Sequence, residues 1–205
     1  MIDHELPPGE KWRQYELQAL GFRDFARVRP NAALNPFRLA KFANLVVIDF
    51  DQIKGLSARN RQHLLGSASE EWSGGACSRP LPDGRRIVIL NPNHGRMRTH
   101  ATLMEEISHV FLGHQPTTLK IVREDASGRT VSRDYRQADE EAAYGTGAAA
   151  LVPFSALRAF VLEGKTSFEI ARHFRVSREL VEYRLKVTRL WSTYKVAHPN
   201  TSKRD

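Results

Sequence analysis

Thr99-His-Ala-Thr-Leu-Met-Glu-Glu-Ile-Ser-His-Val-Phe-Leu-Gly-His114 joins an apolar ladder to a compact polar group. Leu103, Ile107, Val110 and Phe111 recur at helical spacing, which predicts a core-packed helix over this segment. Glu105 and His109 are four residues apart, so a helix sets them on one face, and Glu106 follows directly. The order is His-Glu-x-x-His with glutamate in the place of the first histidine. In that motif two side chains one turn apart grip zinc, while the central glutamate is the general base toward the attacking water. A Glu-Glu pair on a helix is most often a solvated face. Carboxylates buried among apolar residues instead need a cation or a metal.

Outward from this helix, the chain reads as α+β. Glu10 to Val28 predicts an amphipathic helix with Trp12, Tyr15, Leu17, Leu20 and Phe22 on its apolar side, stopped by Pro30. Pro36 to Phe42 suits a second helix, Leu45 to Phe50 a short buried strand, and Ser57 to Leu65 a capped helix. Glu70 to Ser78 and Arg86 to Leu90 flank the Pro82-Asp83-Gly84 turn and predict a hairpin, its first arm at an edge. The sheet is therefore expected to be small and antiparallel. Leu119 to Tyr135 suits a second hairpin, and Gln137 to Leu151 an alanine-rich helix carrying Glu140 and Glu141, either of which could complete a site with Glu105 and His109. Gly145 and Gly147 on that helix follow no strand and make no phosphate loop. Helices are expected over 155–162, 166–174 and 177–190, with Ser177 as an N-cap. The expected division is a domain over residues 1–154, with helices 99–114 and 137–151 at its centre, and a helical helix-turn-helix-like segment over 155–205.

Composition narrows the classes. No apolar run approaches the roughly 18 residues of a membrane span. The start of the chain has no secretory apolar core, and its one cysteine, Cys77, excludes an internal disulfide and a cysteine-rich zinc cluster. A cytoplasmic setting is the expectation. The net charge is +8, and residues 155–205 carry 11 Lys/Arg against 5 Asp/Glu. That basic quarter suits nucleic acid or an acidic partner as well as a plain solvated surface.

The segments Thr102 to His114 and Glu141-Ala-Ala-Tyr-Gly-Thr-Gly-Ala-Ala-Ala-Leu-Val-Pro153 resemble the ImmA/IrrE-type zinc metallo-endopeptidases, whose pattern is His-Glu-x-x-His, Leu-Gly-His and a later glutamate-alanine helix. Leu90-Asn-Pro92 and the strand from Val46 are similar as well, so the likeness spans roughly residues 40–190. It implies a zincin-like peptidase that acts on a protein regulator such as a transcriptional repressor. Carried over, His109 is a zinc ligand, Glu106 the general base and Glu141 the third ligand, with Glu140 as alternate. The departure is Glu105. Two carboxylates and one imidazole would neutralise a divalent ion, weaken it as a Lewis acid and shift preference from zinc toward manganese or another hard ion. His114, beyond Gly113, is the alternate for Glu105, and His100 reads as a surface or outer-sphere histidine.

Tyr144 lies one turn from Glu141 and suits core packing more than oxyanion contact. Arg178, Arg184 and Lys186 are the candidate DNA contacts of the C-terminal helices. Two readings stay open from sequence: a metal-dependent endopeptidase, or a catalytically degenerate zincin-like domain that regulates by binding a protein partner or DNA.

Overall fold

Leu45–Ile48 (β1), Gly74–Ala76 (β2) and Arg86–Leu90 (β3) form a three-stranded sheet in the order β1-β3-β2 in the computed structural model, which describes residues 5–77, 79–114 and 137–199. The β-branched run Ile87-Val-Ile89 makes β3 the central strand. β2 pairs with it antiparallel, Gly74 opposite Leu90 and Ala76 opposite Val88, which is the expected hairpin with β2 at an edge. β1 runs parallel to β3, Leu45 opposite Arg86. The sheet is thus mixed, not wholly antiparallel as expected, because the chain between β1 and β3 crosses over before returning in the same direction. β1 is also an edge strand: only Leu45 is fully buried, and Phe50 lies beyond it in a single 3-10 turn.

The described helices are Glu10–Phe25 (α1), Pro36–Phe42 (α2), Ala58–Leu65 (α3), Arg96–Phe111 (α4), Gln137–Leu151 (α5), Phe154–Leu162 (α6), Ser167–Phe174 (α7), Arg178–Val187 (α8) and Trp191–Ala197 (α9). Their ends follow local chemistry. The Asn35 side chain accepts from Phe37 N–H, Ser57 from Asn60 N–H, and Thr166 and Glu169 close a capping box on α7. Ser177 caps α8 as its sequence suggests, but α8 stops at Val187, and Arg189 at φ 60° turns the chain into α9. Arg175, where a glycine is usual, joins α7 to α8 at φ 59°. The second hairpin expected over 119–135 lies outside the described residues. Among the described residues no single helix is long and apolar enough to cross a membrane.

α5 is the central helix, and its two glycines explain how. A β-carbon at Gly145 would sit 2.6 Å from the Tyr15 ring of α1, and one at Gly147 would sit 3.3 Å from Met104 O and Ser108 Oγ of α4. Two glycines, two residues apart, thus let two different helices approach one axis closely. One cluster of buried apolar side chains continues from Ala19 in α1 through Leu103, Met104 and Ile107 in α4 to Leu185 in α8 and Tyr194 in α9.

α1 departs from its expected pattern. Leu17 is exposed, while Glu16 and Arg23 are buried. Glu16 accepts from Phe154 N–H at 2.6 Å and pairs with Arg184 of α8, whose Nε donates to Val152 O at 3.1 Å. Arg23 donates to Ala150 O at 2.6 Å and to the carbonyls of Arg29 and Ala32. Burial lowers the Arg23 pKa to about 10, and nearby Glu16 partly offsets this. These two arginines hold the end of α5 and the bend into α6. Removing one partner leaves the other charged and unpaired in the core. Glu16→Gln or Arg184→Met alone is therefore expected to cost about 3–5 kcal/mol in urea unfolding, with part of the loss recovered in the double variant.

Candidate metal centre

Glu105 and His109 lie one turn apart on α4 and face the first turn of α5. Ligand atoms of Glu105, His109 and Glu140 all fall within 4.8 Å of one another, and His109 Nε2 is 3.3 Å from Glu140 Oε2. Among the described residues this is the trio that converges. Glu141 is not in it; its carboxylate is exposed and ion-pairs with Lys11 of α1. The phase of α5 accounts for the choice. Glu140 lies seven residues before Gly147 and shares its α4-facing side, whereas Glu141 lies four before Gly145 and shares the side that meets α1.

His114 supports the trio without joining it. Gly113, at φ 70°, ends the helix and turns the chain back, so that the His114 and His109 Nδ1 atoms lie 3.0 Å apart. His114 Nε2 is 3.9 Å from Asp139 Oδ1. One Nδ1 must donate to the other. When His109 is the donor, its Nε2 lone pair is left facing Glu140, as a metal ligand requires. His100, expected near the surface or the site, is buried on another side of α4, edge-on to Phe37 of α2, and burial lowers its pKa first of all. Tyr144, one turn after Glu140, packs edge-on against Tyr183 with centroids 5.0 Å apart. Burial raises its pKa, and the Glu105 charge adds to that.

A cleft of about 320 Å³ opens over these groups. Its walls are Glu105, Glu106 and His109 on α4, Asp139 and Glu140 on α5, and the backbone of β2. Burial pushes both the Glu105 and Glu106 carboxyls up to about 7. The Glu106 and Glu140 charges add to the shift of Glu105, while for Glu106 a hydrogen bond from the Ala76 backbone pulls partly back and Glu140 adds. Sequence reasoning missed this bond, Asp139 and Arg86, which also lines the cleft. The strand spacing alone does not say which residues face α4.

The donor set fits a divalent cation. Two carboxylates and an imidazole converge within bonding span, and no lysine or arginine among the described residues pairs with Glu105, Glu106 or Glu140. A divalent ion is the charge that would offset this crowding. The candidate DNA contacts have other surroundings. Arg184 is fully buried against Glu16 and has no face for DNA, which corrects its assignment; Arg178 ion-pairs with Glu182, and exposed Lys186 lies over the Trp191 ring.

The raised carboxyls set a pH dependence. Their ordinary value is 4.5, so between about pH 4.5 and 7 the folded chain keeps protons that the unfolded chain releases. Their contribution to stability is full below about 4.5 and is lost as pH rises through about 7. In EDTA, a Glu105→Gln/Glu106→Gln variant is expected to gain in melting temperature relative to the parent from pH 5 to pH 8. A constant difference across that range, read by scanning fluorimetry, would contradict the burial of these carboxyls.

The comparisons agree with this architecture. A family model for the IrrE N-terminal-like domain of peptidase M78 matches residues 44–186, more than half of the chain. A solved Mycobacterium tuberculosis transcriptional regulator is similar at a TM-score of 0.51 and 16% identity, with 84% of this chain and 46% of that chain covered. At that identity the likeness shows the fold alone, and this chain spans less than half of the regulator's length. No curated protein matches. With α4 and α5 crossing beside a small mixed sheet, and with the family match running from β1 into α8, the chain belongs to the IrrE N-terminal-like, peptidase M78 family and has its zincin-like α+β fold.

Proposed function

We propose that this protein is a metal-dependent endopeptidase acting on a protein regulator such as a transcriptional repressor. The observation that carries the reading is the convergence of Glu105, His109 and Glu140 in a cleft that also holds Glu106 and is walled by an edge strand. Family membership supports the peptidase class. A regulatory target accords with the sequence resemblance and with the structural neighbour, which is itself called a transcriptional regulator.

Glu105, His109 and Glu140 would hold the cation, with His114 and Asp139 orienting His109. A divalent ion held there supplies Lewis-acid polarisation of the scissile carbonyl. The rest is the work of the chain's own groups. Among the described residues β2 pairs with no strand on its outer side, so an extended substrate segment can hydrogen-bond along it. Glu106 lies beside that segment, held by the Ala76 backbone. A carboxyl whose pKa is near 7 is suited to take a proton from the attacking water and return it to the leaving amine. Carboxylate oxygens predominate in the donor set, which favours manganese or another hard ion beside zinc.

Glu106→Gln is expected to abolish cleavage of a regulator substrate, by at least about 100-fold, while metal content by mass spectrometry stays at that of the parent. Full retention of cleavage would defeat the assignment. Glu140→Gln should lower metal occupancy at least about tenfold, whereas Glu141→Gln should leave it unchanged. Glu105→His should raise zinc affinity relative to manganese, because an imidazole replaces a hard oxygen donor. A parent protein that takes up neither zinc nor manganese on dialysis would leave the degenerate, partner-binding reading in its place.

A further inference from the structure

Four carboxylates line the cleft, and with them stands one arginine. Arg86 is the first residue of β3, half-buried, and its guanidinium makes no ion pair or hydrogen bond with any described residue. Of the other cleft-lining groups, His109 faces Glu140 and His114, and His114 faces Asp139. A partly buried cation with no partner among the described residues can receive an anion.

Its position along the cleft follows from the register. Val88 and Leu90 are buried, and a β-carbon at Gly74, the partner of Leu90, would meet Thr102 of α4 at 2.8 Å. That face of the sheet, which by alternation includes Ala76 and Arg86, is therefore turned to α4. The strand and the helix advance together. Thr102 stands by Gly74, and the Ala76 backbone lies close enough to the Glu106 carboxyl to pull its pKa down. Two strand residues span about 6.7 Å and four helical residues about 6 Å. The next step is Val110 on the helix, and on the sheet Arg86, two register positions past Val88, the partner of Ala76. The ladder reaches in that direction, with Cys77 N–H donating to Ile87 O at 2.7 Å. Arg86 thus stands about one helical turn beyond the proton-accepting Glu106, on the same side of the sheet.

We infer that Arg86 is a specificity-determining residue that selects substrates with an acidic side chain at the second residue from the one whose carbonyl faces Glu106. This rests on the proposed peptidase reading. An extended segment added along β2 alternates its side chains with a period of two. When the residue level with Ala76 presents its carbonyl to Glu106, the side chain two residues away lies on the same side of the sheet as Arg86, about 10 Å away across β2, a span that an extended arginine and an acidic side chain close together. An aspartate or glutamate there completes an ion pair. A lysine there meets a cation in a confined space.

The test is a randomised decapeptide mixture digested by the manganese- or zinc-loaded full chain, with products mapped by mass spectrometry. The parent should show Asp and Glu enriched about fivefold at one position two residues from the cleavage point, the worth of one partly exposed ion pair. Arg86→Ala should flatten that position relative to the other positions of the same mixture, and Arg86→Glu should invert it toward Lys and Arg. An unchanged profile in Arg86→Glu overturns the inference and leaves the peptidase reading intact. If the parent cuts nothing, the peptidase reading has failed, and fluorescence anisotropy with labelled decapeptides decides Arg86 separately. Preference of the parent for an aspartate-containing peptide over its asparagine counterpart, lost in Arg86→Glu, supports the acid-selecting role; equal binding overturns it.

Discussion

α5 lies close against α1 and α4 at once because Gly145 and Gly147 present no side chain where the other helices come closest. A β-carbon at either position would press on the Tyr15 ring or on the Met104 carbonyl. Interiors packed at crystal-like density transmit such changes along rigid elements. With α5 displaced, Glu140 would move with it, and the distance between the α4 pair and its third carboxylate would open. The small-residue texture of α5 therefore bears on chemistry two turns away. The alanines from Ala148 to Ala150 continue the same close fit toward the helix end, where Arg23 takes up the Ala150 carbonyl and Arg184 that of Val152.

Two electrostatic settings coexist in this molecule and are solved differently. Around the bend between α5 and α6, charges are deeply buried and each has polar partners: Glu16 has Arg184 and a backbone N–H, and Arg23 has three carbonyls. In the cleft, carboxylates gather, no lysine or arginine among the described residues ion-pairs with the converging trio, and burial pushes two of the cleft's carboxyls up to about 7. The first arrangement fixes geometry. The second keeps free energy available for a ligand, since a cation that enters replaces mutual repulsion by attraction. His109 links the two halves of the site, receiving orientation from His114 on one ring nitrogen and facing Glu140 with the other.

The elements with strong local signals were legible in the chain. The spacing of Leu103 and Ile107, the alanine run of α5 and the caps at Ser57, Thr166 and Ser177 each rest on interactions within a few residues, and the helices stand where those signals put them. Errors arose where distant partners decide. The polarity of β1 was missed because a strand's own residues do not record the direction of its neighbour. Leu17 faces solvent and Glu16 the core because an arginine 168 residues away, Arg184, waits for the carboxylate. Arg184 itself, basic and on a C-terminal helix, looked like a DNA contact for the same reason: charge is visible in a sequence, but burial is not.

By itself, the sequence determined that a helix would carry Glu105, Glu106 and His109 on adjoining faces, that an alanine-rich helix would follow with acidic residues at its start, and that the whole would be α+β. Helical periodicity is a local property, fixed by backbone geometry. Only the tertiary structure shows that Glu140, and not Glu141, is turned toward Glu105 and His109. Neighbouring residues on a helix point about 100° apart, and which of them meets α4 depends on how α5 is rotated between its two partners. That rotation is set by where the glycines allow contact, a fact of packing between segments far apart in the chain.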